Sequence, residues 1–524
     1  MLYFAKQKPI GCRYSIIEGV ILSKLDAADS QDELIKRRLE KLNKLIDKGI
    51  NPYPYRFCRT HLSRQAVEDF QRLGSSGQQV AVAGRVMSIR QHGKAGFAHL
   101  QDPAGRIQIY VRQDTVGEEA FGIFKLLDIG DFLGATGGLF RTKTGEITVA
   151  ASRIELLCKA LRQLPIVKER YEDGQKIIYD QFSDKEQRYR QRYVDLVVNP
   201  EVKELFQCRF RIISTIRRFL DEQGFLEVET PVLQSTYGGA YARPFKTYHH
   251  ALDIPLYLKI SPELYLKRLI IGGMEKVYEI SKNFRNEGID RTHNPEFTML
   301  EAYRAYADYN DMMELTEEIF ERTAYEIHGR AKIRYQGEEI DLSRPWRRLR
   351  MVEALKQYAD LDVEAMSDEQ LLKLFQAHRL DVRGEPTRGL IINALFEELV
   401  EKKLIQPTFI ISYPRETTPL CKADRENPAY IERFEPYVAG CEFGNAYSEL
   451  NDPLLQRRLL EQQAQARQID DEIPPMDNDF LRAIEYGMPP TAGLGLGIDR
   501  LVMLLTDQTS IRDVILFPQM RPES

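Results

Sequence analysis

The segment YEISKNFRNEGIDRTHNPEFTMLEAY, Tyr278 to Tyr303, reads as strand, turn, strand. Side chains alternate across a strand, so Glu279, Ser281, Asn283, Arg285 and Glu287 fall on one face of the first arm. Gly288 and Asp290 interrupt the run as turn residues do. The second arm sets Phe297, Met299, Glu301 and Tyr303 in one row. A carboxylate and a phenol among apolar side chains need partners, because a buried unpaired charge is costly. Two readings meet that need. Arg285 and Glu301 can bridge to each other as a structural pair. Alternatively, the hairpin presents an arginine, carboxylates, His293 and an aromatic ring to a nucleotide and a small charged substrate.

Outside this hairpin the composition narrows the class. A chain of 524 residues favours two or three domains. Its 43% hydrophobic and 29% charged residues are ordinary for a globular protein. No apolar run approaches the roughly 20 residues of a membrane span. The net charge of -5 excludes an overall basic field, so nucleic-acid contact must use a local patch. Six dispersed cysteines (Cys12, Cys58, Cys158, Cys208, Cys421 and Cys441) form no CxxC pair. That argues against a zinc site or a disulfide framework and fits the reducing cytoplasm.

Residues 1–25 read as an unassigned extension. They are basic at Lys6, Lys8, Arg13 and Lys24 but lack the Arg and Ser richness and the cleavage site of a targeting peptide. Residues 26–79 form a helical segment. From Asp29 to Gly49 a stripe of Ile35, Leu39, Leu42 and Ile46 predicts an amphipathic helix, which Ser30 can cap and Gly49 can end. Its polar side carries Lys36, Arg37, Arg38, Lys41 and Lys44, either a solvated face or a phosphate rail for RNA. Residues 80–163 hold five short strands with Gly-rich turns, the pattern of an OB-type barrel. On it, Phe97 reads as core or as a ring on which a base stacks beside Gln108. The polar stretch 164–182 is expected to be a linker. The remainder, 183–524, alternates helix and strand, with Phe225–Pro231 read as a strand and 343–405 as a helical insertion. Trp346, the only tryptophan, reads as packing.

The run Phe284–Gly288, FRNEG, followed by His293-Asn-Pro-Glu-Phe297-Thr, resembles motif 2 of the class II aminoacyl-tRNA synthetases. It is similar to the subgroup for lysine, aspartate and asparagine, and the MLEAY ending resembles its bacterial lysine-specific branch. The resemblance spans about Asp26 to Ser524 and implies an α+β fold. Its parts would be an N-terminal OB-fold barrel for the anticodon and an antiparallel-sheet catalytic domain. The helix-strand-proline unit ending at Pro231 resembles motif 1, which implies a homodimer.

The implied reaction is ATP-dependent activation of L-lysine to lysyl-adenylate, then transfer to the 3′ end of tRNA(Lys). The enzyme's task would be to align two anions and neutralise the charge between them. By resemblance, Arg285 and Arg500 are the catalytic cations, and with Glu287, His293 and Phe297 they bind ATP. His293 by itself is an ordinary turn histidine. The resemblance assigns lysine to Gly239, Glu263, Glu301, Tyr303, Asn445 and Glu449. It assigns Mg2+ to Glu435 and Glu442, and the anticodon to Phe97, Gln108, Glu146 and Arg90. An acidic pocket suits a lysine side chain, whereas an aspartate pocket would want a cation at Glu449. Gly493, Gly495 and Gly497 match neither GxxxxGK[ST] nor GxGxxG, so they read as close packing against the nucleotide. A protein-modifying lysyl transferase would lack the barrel. A non-catalytic paralogue would lack the charged set.

Overall fold

The computed structural model describes residues 30–165, 168–172, 175–179, 182–382, 385–466 and 473–523. The extension over residues 1–25 lies outside them. Two compact units divide the chain, Met1–Phe182 and Ser183–Ser524.

In the first unit, helix α1 spans Ser30–Asp47. Its buried stripe is Ile35, Arg38, Leu42 and Leu45, whereas Leu39 and Ile46 are only half-buried. The expected stripe is therefore rotated, because an arginine points inward. The Arg38 guanidinium donates to the carbonyls of Ile129, Ala160 and Arg162 at 2.9–3.2 Å, which satisfies it away from water. Lys41 pairs with Asp128 at 2.6 Å. The phosphate-rail reading thus loses Arg38 and Lys41 and keeps Lys36, Arg37 and Lys44 as exposed cations.

Strands β1 (Val80–His92), β2 (Ala95–Asp102), β3 (Gly105–Arg112), β4 (Phe132–Arg141) and β5 (Ile147–Cys158) close into a barrel in the order β1-β2-β3-β5-β4. Alternation sends Val82, Leu100, Ile109 and Val149 into its core, where Phe121 and Phe124 of the helix Glu118–Leu126 join them. The stretch read as a linker contains an antiparallel pair, Lys168–Glu172 with Gln175–Tyr179.

In the second unit, helix α2 (Pro200–Glu222) ends before Gly224, whose φ of +77° suits glycine. The strand expected over Phe225–Pro231 shrinks to β6 (Leu226–Glu227). Past Val228 the chain leaves the sheet. There the Thr230 hydroxyl donates to Glu279, and Pro231 has no N–H for a ladder.

Helix α3 (Glu263–Ile271) precedes the central hairpin of β7 (Lys276–Phe284) and β8 (Glu296–Ala305), in which Glu279 faces Glu301 and Asn283 faces Phe297. After helix α4 (Tyr309–His328) come β9 (Arg347–Arg350) and three helices, Met351–Ala359, Asp368–Ala377 and Arg388–Leu399. The segment read as a helical insertion therefore opens on a sheet strand. Its helices bury Leu355, Leu371 and Leu395 in a second cluster shared with Ile410 and Tyr437 of the sheet.

Then follow β10 (Thr408–Pro414), β11 (Tyr430–Val438), β12 (Gly444–Ser448), β13 (Thr491–Gly497) and helix α5 (Ile498–Leu505). The sheet order is β9-β10-β11-β12-β13-β8-β7-β6, antiparallel except at its two outermost pairs. One face packs Leu300 and Leu494 against Ile216, Phe320 and Leu501 from α2, α4 and α5. Trp346 stacks on Phe409 and meets the edge of Phe320 in that core. Apolar packing on one face leaves the odd-numbered residues of β8 to line the other. No helix among the described residues is long and apolar enough to cross a membrane.

Candidate active site

Two adjoining cavities of about 240 and 410 Å³ open on that other face and share Arg285, Glu287, Met299, Glu442, Asn445 and Gly495. The β8 row runs from one into the other. Phe297 lines the smaller, Met299 both, and Glu301 and Tyr303 the larger. The floor is β13. A Cβ on Gly493 would overlap the Glu449 carboxylate and the Tyr303 ring, and one on Gly495 would lie 3.3 Å from Met299 Cε. These glycines therefore keep the floor clear.

The smaller cavity gathers Arg285, Glu287, His293, Phe297 and Arg500. The Arg285 guanidinium carbon sits 5.1 Å from the centre of the Phe297 ring. Among the described residues no ion pair joins Arg285 to Glu301, and its Nε has no hydrogen-bond partner. The structural-bridge reading is thereby set aside. Burial weakens Arg285's hold on its proton, with Glu287 and Glu442 opposing. Arg500 donates to the Glu442 carbonyl at 2.5 Å and lies 3.5 Å from its carboxylate. His293 is exposed, with Nδ1 2.9 Å from Asp290 Oδ2.

In the larger cavity Gly239 has φ +82°, and a Cβ there would come within 3.0 Å of Ser261 Oγ and the Glu263 side chain. Only glycine brings the backbone this close. Glu301 accepts from the Ser261 and Tyr303 hydroxyls at 2.9 Å each. Burial, and then Glu263, push its carboxyl up to about 7. Glu263 and Glu449 flank the ammonium of Lys267 at 2.6 and 2.5 Å, all three fully or nearly fully buried. Asn445 lines both cavities.

The Glu301 shift has a readable consequence. A glutamate in the unfolded chain titrates near 4.5, so the folded protein holds the extra proton between pH 4.5 and about 7. Stability from this group is therefore present at low pH and falls as pH rises through that window. Glu301→Gln removes the dependence. Thermal unfolding from pH 5 to 8 should show the variant gaining on the wild type as pH rises; a constant difference would contradict the buried, protonated carboxyl.

Glu435 and Glu442 lie together beside Arg285 in the larger cavity. Glu435 is held by the Tyr413 and Tyr437 hydroxyls at 2.7 Å each and by Arg433. Burial, and then Glu435, raise the proton affinity of Glu442. Two hard-oxygen anions kept this close fit a divalent cation whose other ligands come from phosphates. Among the described residues no set of three or more His, Cys, Asp or Glu side chains forms a closed cage.

On the barrel, Phe97 stacks on Tyr110 with ring centres 4.5 Å apart and faces Arg90 across the β1–β2 ladder. The Gln108 amide donates to Glu146 at 2.8 Å and accepts from Thr148. His99 contacts the same carboxylate at 2.8 Å. Arg90, Phe97 and Gln108 thus share one face of β1–β3 with Tyr110 and His99, and Glu146 meets that face from the turn before β5.

Several residues were not singled out from the sequence. Asp499 ties α5 to the hairpin by accepting from Arg209 at 2.6 Å and from the Thr298 amide at 2.7 Å. Its signal was its place beside Arg500 in GIDR. Ser261 and Lys267 stand two before and four after Glu263 in SPELYLK, a spacing that puts Lys267 on the helix face of Glu263. Arg433, bound to Glu435 and packed over the Tyr413 ring at 4.5 Å, had no such signal.

Comparison with known proteins agrees with this geometry. Residues 184–521 match the family of tRNA synthetases class II (D, K and N), and residues 80–157 match the OB-fold nucleic acid binding domain. A lysine–tRNA ligase of Pelotomaculum thermopropionicum is 54% identical over 94% of this chain and 95% of its own length. Those of Thermoanaerobacter pseudethanolicus and Carboxydothermus hydrogenoformans are each 53% identical over 94% of this chain, covering 97% and 98% of theirs.

Proposed function

Because the chain belongs to the class II tRNA synthetases for aspartate, lysine and asparagine, and within them to the lysine–tRNA ligases, we propose that its two cavities divide one reaction between ATP and lysine. The activity is activation of L-lysine with ATP and transfer of the lysyl group to tRNA(Lys). The observation that carries the division is the acid-lined cavity of Glu263, Glu301 and Glu449, joined through Arg285 to a cavity walled by Phe297 and Arg500.

In the first step the lysine carboxylate oxygen attacks the α-phosphorus, and pyrophosphate leaves with the bridging oxygen. In the second, a terminal ribose hydroxyl of tRNA attacks the activated carbonyl, and AMP leaves. Arg285 spans the carboxylate and the α-phosphate, for which a planar fork is suited. Phe297 and Arg500 sandwich the adenine, and Arg500, His293 and Glu287 hold the remaining ends of ATP. Glu301 and Glu263 take the α-ammonium, beside the Gly239 backbone. Glu449 and Tyr303 take the ε-ammonium, and Asn445 orients the set. Glu435 and Glu442 would hold Mg2+, which when bound withdraws charge from the phosphates.

The barrel face of Phe97, Gln108, Glu146 and Arg90 reads the anticodon, by stacking and by amide and carboxylate contacts. A homodimer is supported by exposed Leu226, Val232, Leu233, Leu252 and Ile254. A cytoplasmic setting is supported by the free thiols of Cys58, Cys158, Cys208, Cys421 and Cys441.

The test separates the two units. Phe97→Ala leaves lysine-dependent ATP–pyrophosphate exchange unchanged and lowers kcat/KM for tRNA charging by about 5–150-fold, the loss of one stacked base. Equal loss of both steps in a folded variant would remove the barrel face as a separate reader. Exchange with aspartate or asparagine in place of lysine would overturn the assignment of the acidic cavity.

A further inference from the structure

Behind two carboxylates of the acidic cavity stands a charged group that does not line it. Lys267 projects from α3, one turn beyond Glu263, and its side chain is wholly buried. Its Nζ lies 2.6 Å from Glu263 Oε1 and 2.5 Å from Glu449 Oε2. The Glu449 contact is made through Oε2, and Oε1 has no hydrogen-bond partner. Glu449 thus has an ion partner yet keeps directed acceptor capacity for another donor.

We propose that Lys267 is a positioning residue for amino-acid specificity, an internal ammonium that sets Glu449 and trims the cavity's charge to match lysine. This rests on the assignment of lysine to the larger cavity. Glu263, Glu301 and Glu449 carry three negative charges when ionised. Lys267 cancels one, leaving two for the α- and ε-ammonium groups of the substrate. The substrate carboxylate is matched separately by Arg285. Without Lys267 the empty cavity would hold three mutually repelling carboxylates in a buried space, and protonation is the cheapest relief.

The groups facing this centre are consistent with that role. Glu263 comes from α3, Glu301 and Tyr303 from β8, Tyr447 from β12, and Cys421 from the segment bridged to Glu449. Lys267 is the cation at the Glu263–Glu449 end of this set, and the Phe480 ring lies 5.9 Å from its Nζ. Burial opposes the charge on Lys267, but Glu263 and Glu449 outweigh it and hold its proton more firmly than usual. The same burial leaves the proton affinity of Glu449 raised, and Lys267 counters it only in part.

The experiment uses the full chain. Lysine binding is followed by calorimetry at pH 7 in buffers of different ionisation enthalpy, and lysine and ATP KM by pyrophosphate exchange from pH 6.5 to 9. Wild type should release fewer than two protons per lysine, shared between Glu301 and Glu449. Release of two or more would mean Lys267 does not keep Glu449 ionised, and would overturn the proposal without any variant. In Lys267→Met, lysine KM at pH 7 should rise at least about tenfold, with ATP KM within about twofold and one further proton released on binding. Its lysine KM should fall steeply towards pH 9. Lys267→Arg, which keeps the charge, should retain the wild-type pH profile even if its KM rises. A Met variant with raised KM but the wild-type pH profile and proton count would reduce Lys267 to packing. Glu449→Gln in parallel tests the cavity itself: an unchanged lysine KM there defeats the lysine assignment, whereas a raised one leaves the Lys267 result to stand alone.

Discussion

Replacing Arg285 with alanine lowers kcat for lysine-dependent ATP–pyrophosphate exchange by roughly 10³-fold or more, the scale of removing a positioned cation from a phosphoryl-transfer site. The same change leaves thermal stability unchanged or higher. Arg285 is half-buried, its enclosed Nε has no hydrogen-bond partner, and burial works against its charge. Its contact with Phe297 is the main local interaction lost. A residue kept for folding would behave in the opposite way, because deleting a satisfied buried cation is destabilising. Arg285→Lys should recover only part of the rate, since an ammonium cannot bridge two anions with a planar fork. Stopped-flow adenylate formation with a matched melting curve decides the matter. A large fall in melting temperature with modest loss of rate would return Arg285 to a structural role.

Glu449→Gln raises the KM for lysine by about 10²–10³-fold while changing the KM for ATP little, the expected cost of breaking a buried charge pair. The variant keeps the shape and one acceptor oxygen, so the loss reports charge rather than volume. Glu449 packs against Gly493 and Tyr303 and has Lys267 on its other side. Pyrophosphate exchange titrated separately in lysine and ATP reads the split. An equal rise in both would mean that the change had disturbed the floor shared by the two cavities.

What was legible in the sequence follows from what strand geometry exposes. The β8 row was readable because a two-residue period is rigid, and Phe297, Met299, Glu301 and Tyr303 do share a face. The five barrel strands were readable for the same reason. The α1 stripe was misplaced because Arg38 obeys no hydropathy rule; it is buried only because three carbonyls distant in sequence converge on it. Lys267 was missed for a related reason, as its second partner, Glu449, is 182 positions away. The short β6 shows the reverse failure. FLEVETP has strand composition, but Thr230 is drawn out of the ladder by Glu279. Periodicity thus reveals elements whose burial is apolar. Polar burial depends on partners that topology alone brings together.

The β8 row also acts as a ruler. Successive side chains on one face of a strand stand about 6.8 Å apart, so Phe297, Met299, Glu301 and Tyr303 mark equal intervals along a single rigid edge. That edge is clamped by β7 on one side and β13 on the other. The spacing between the nucleotide end and the amino-acid end is therefore set by backbone pitch and not by a hinge. Length changes in the Arg285–Pro295 loop can leave the graduations untouched. A single inserted residue within β8 turns every mark beyond it to the wrong face.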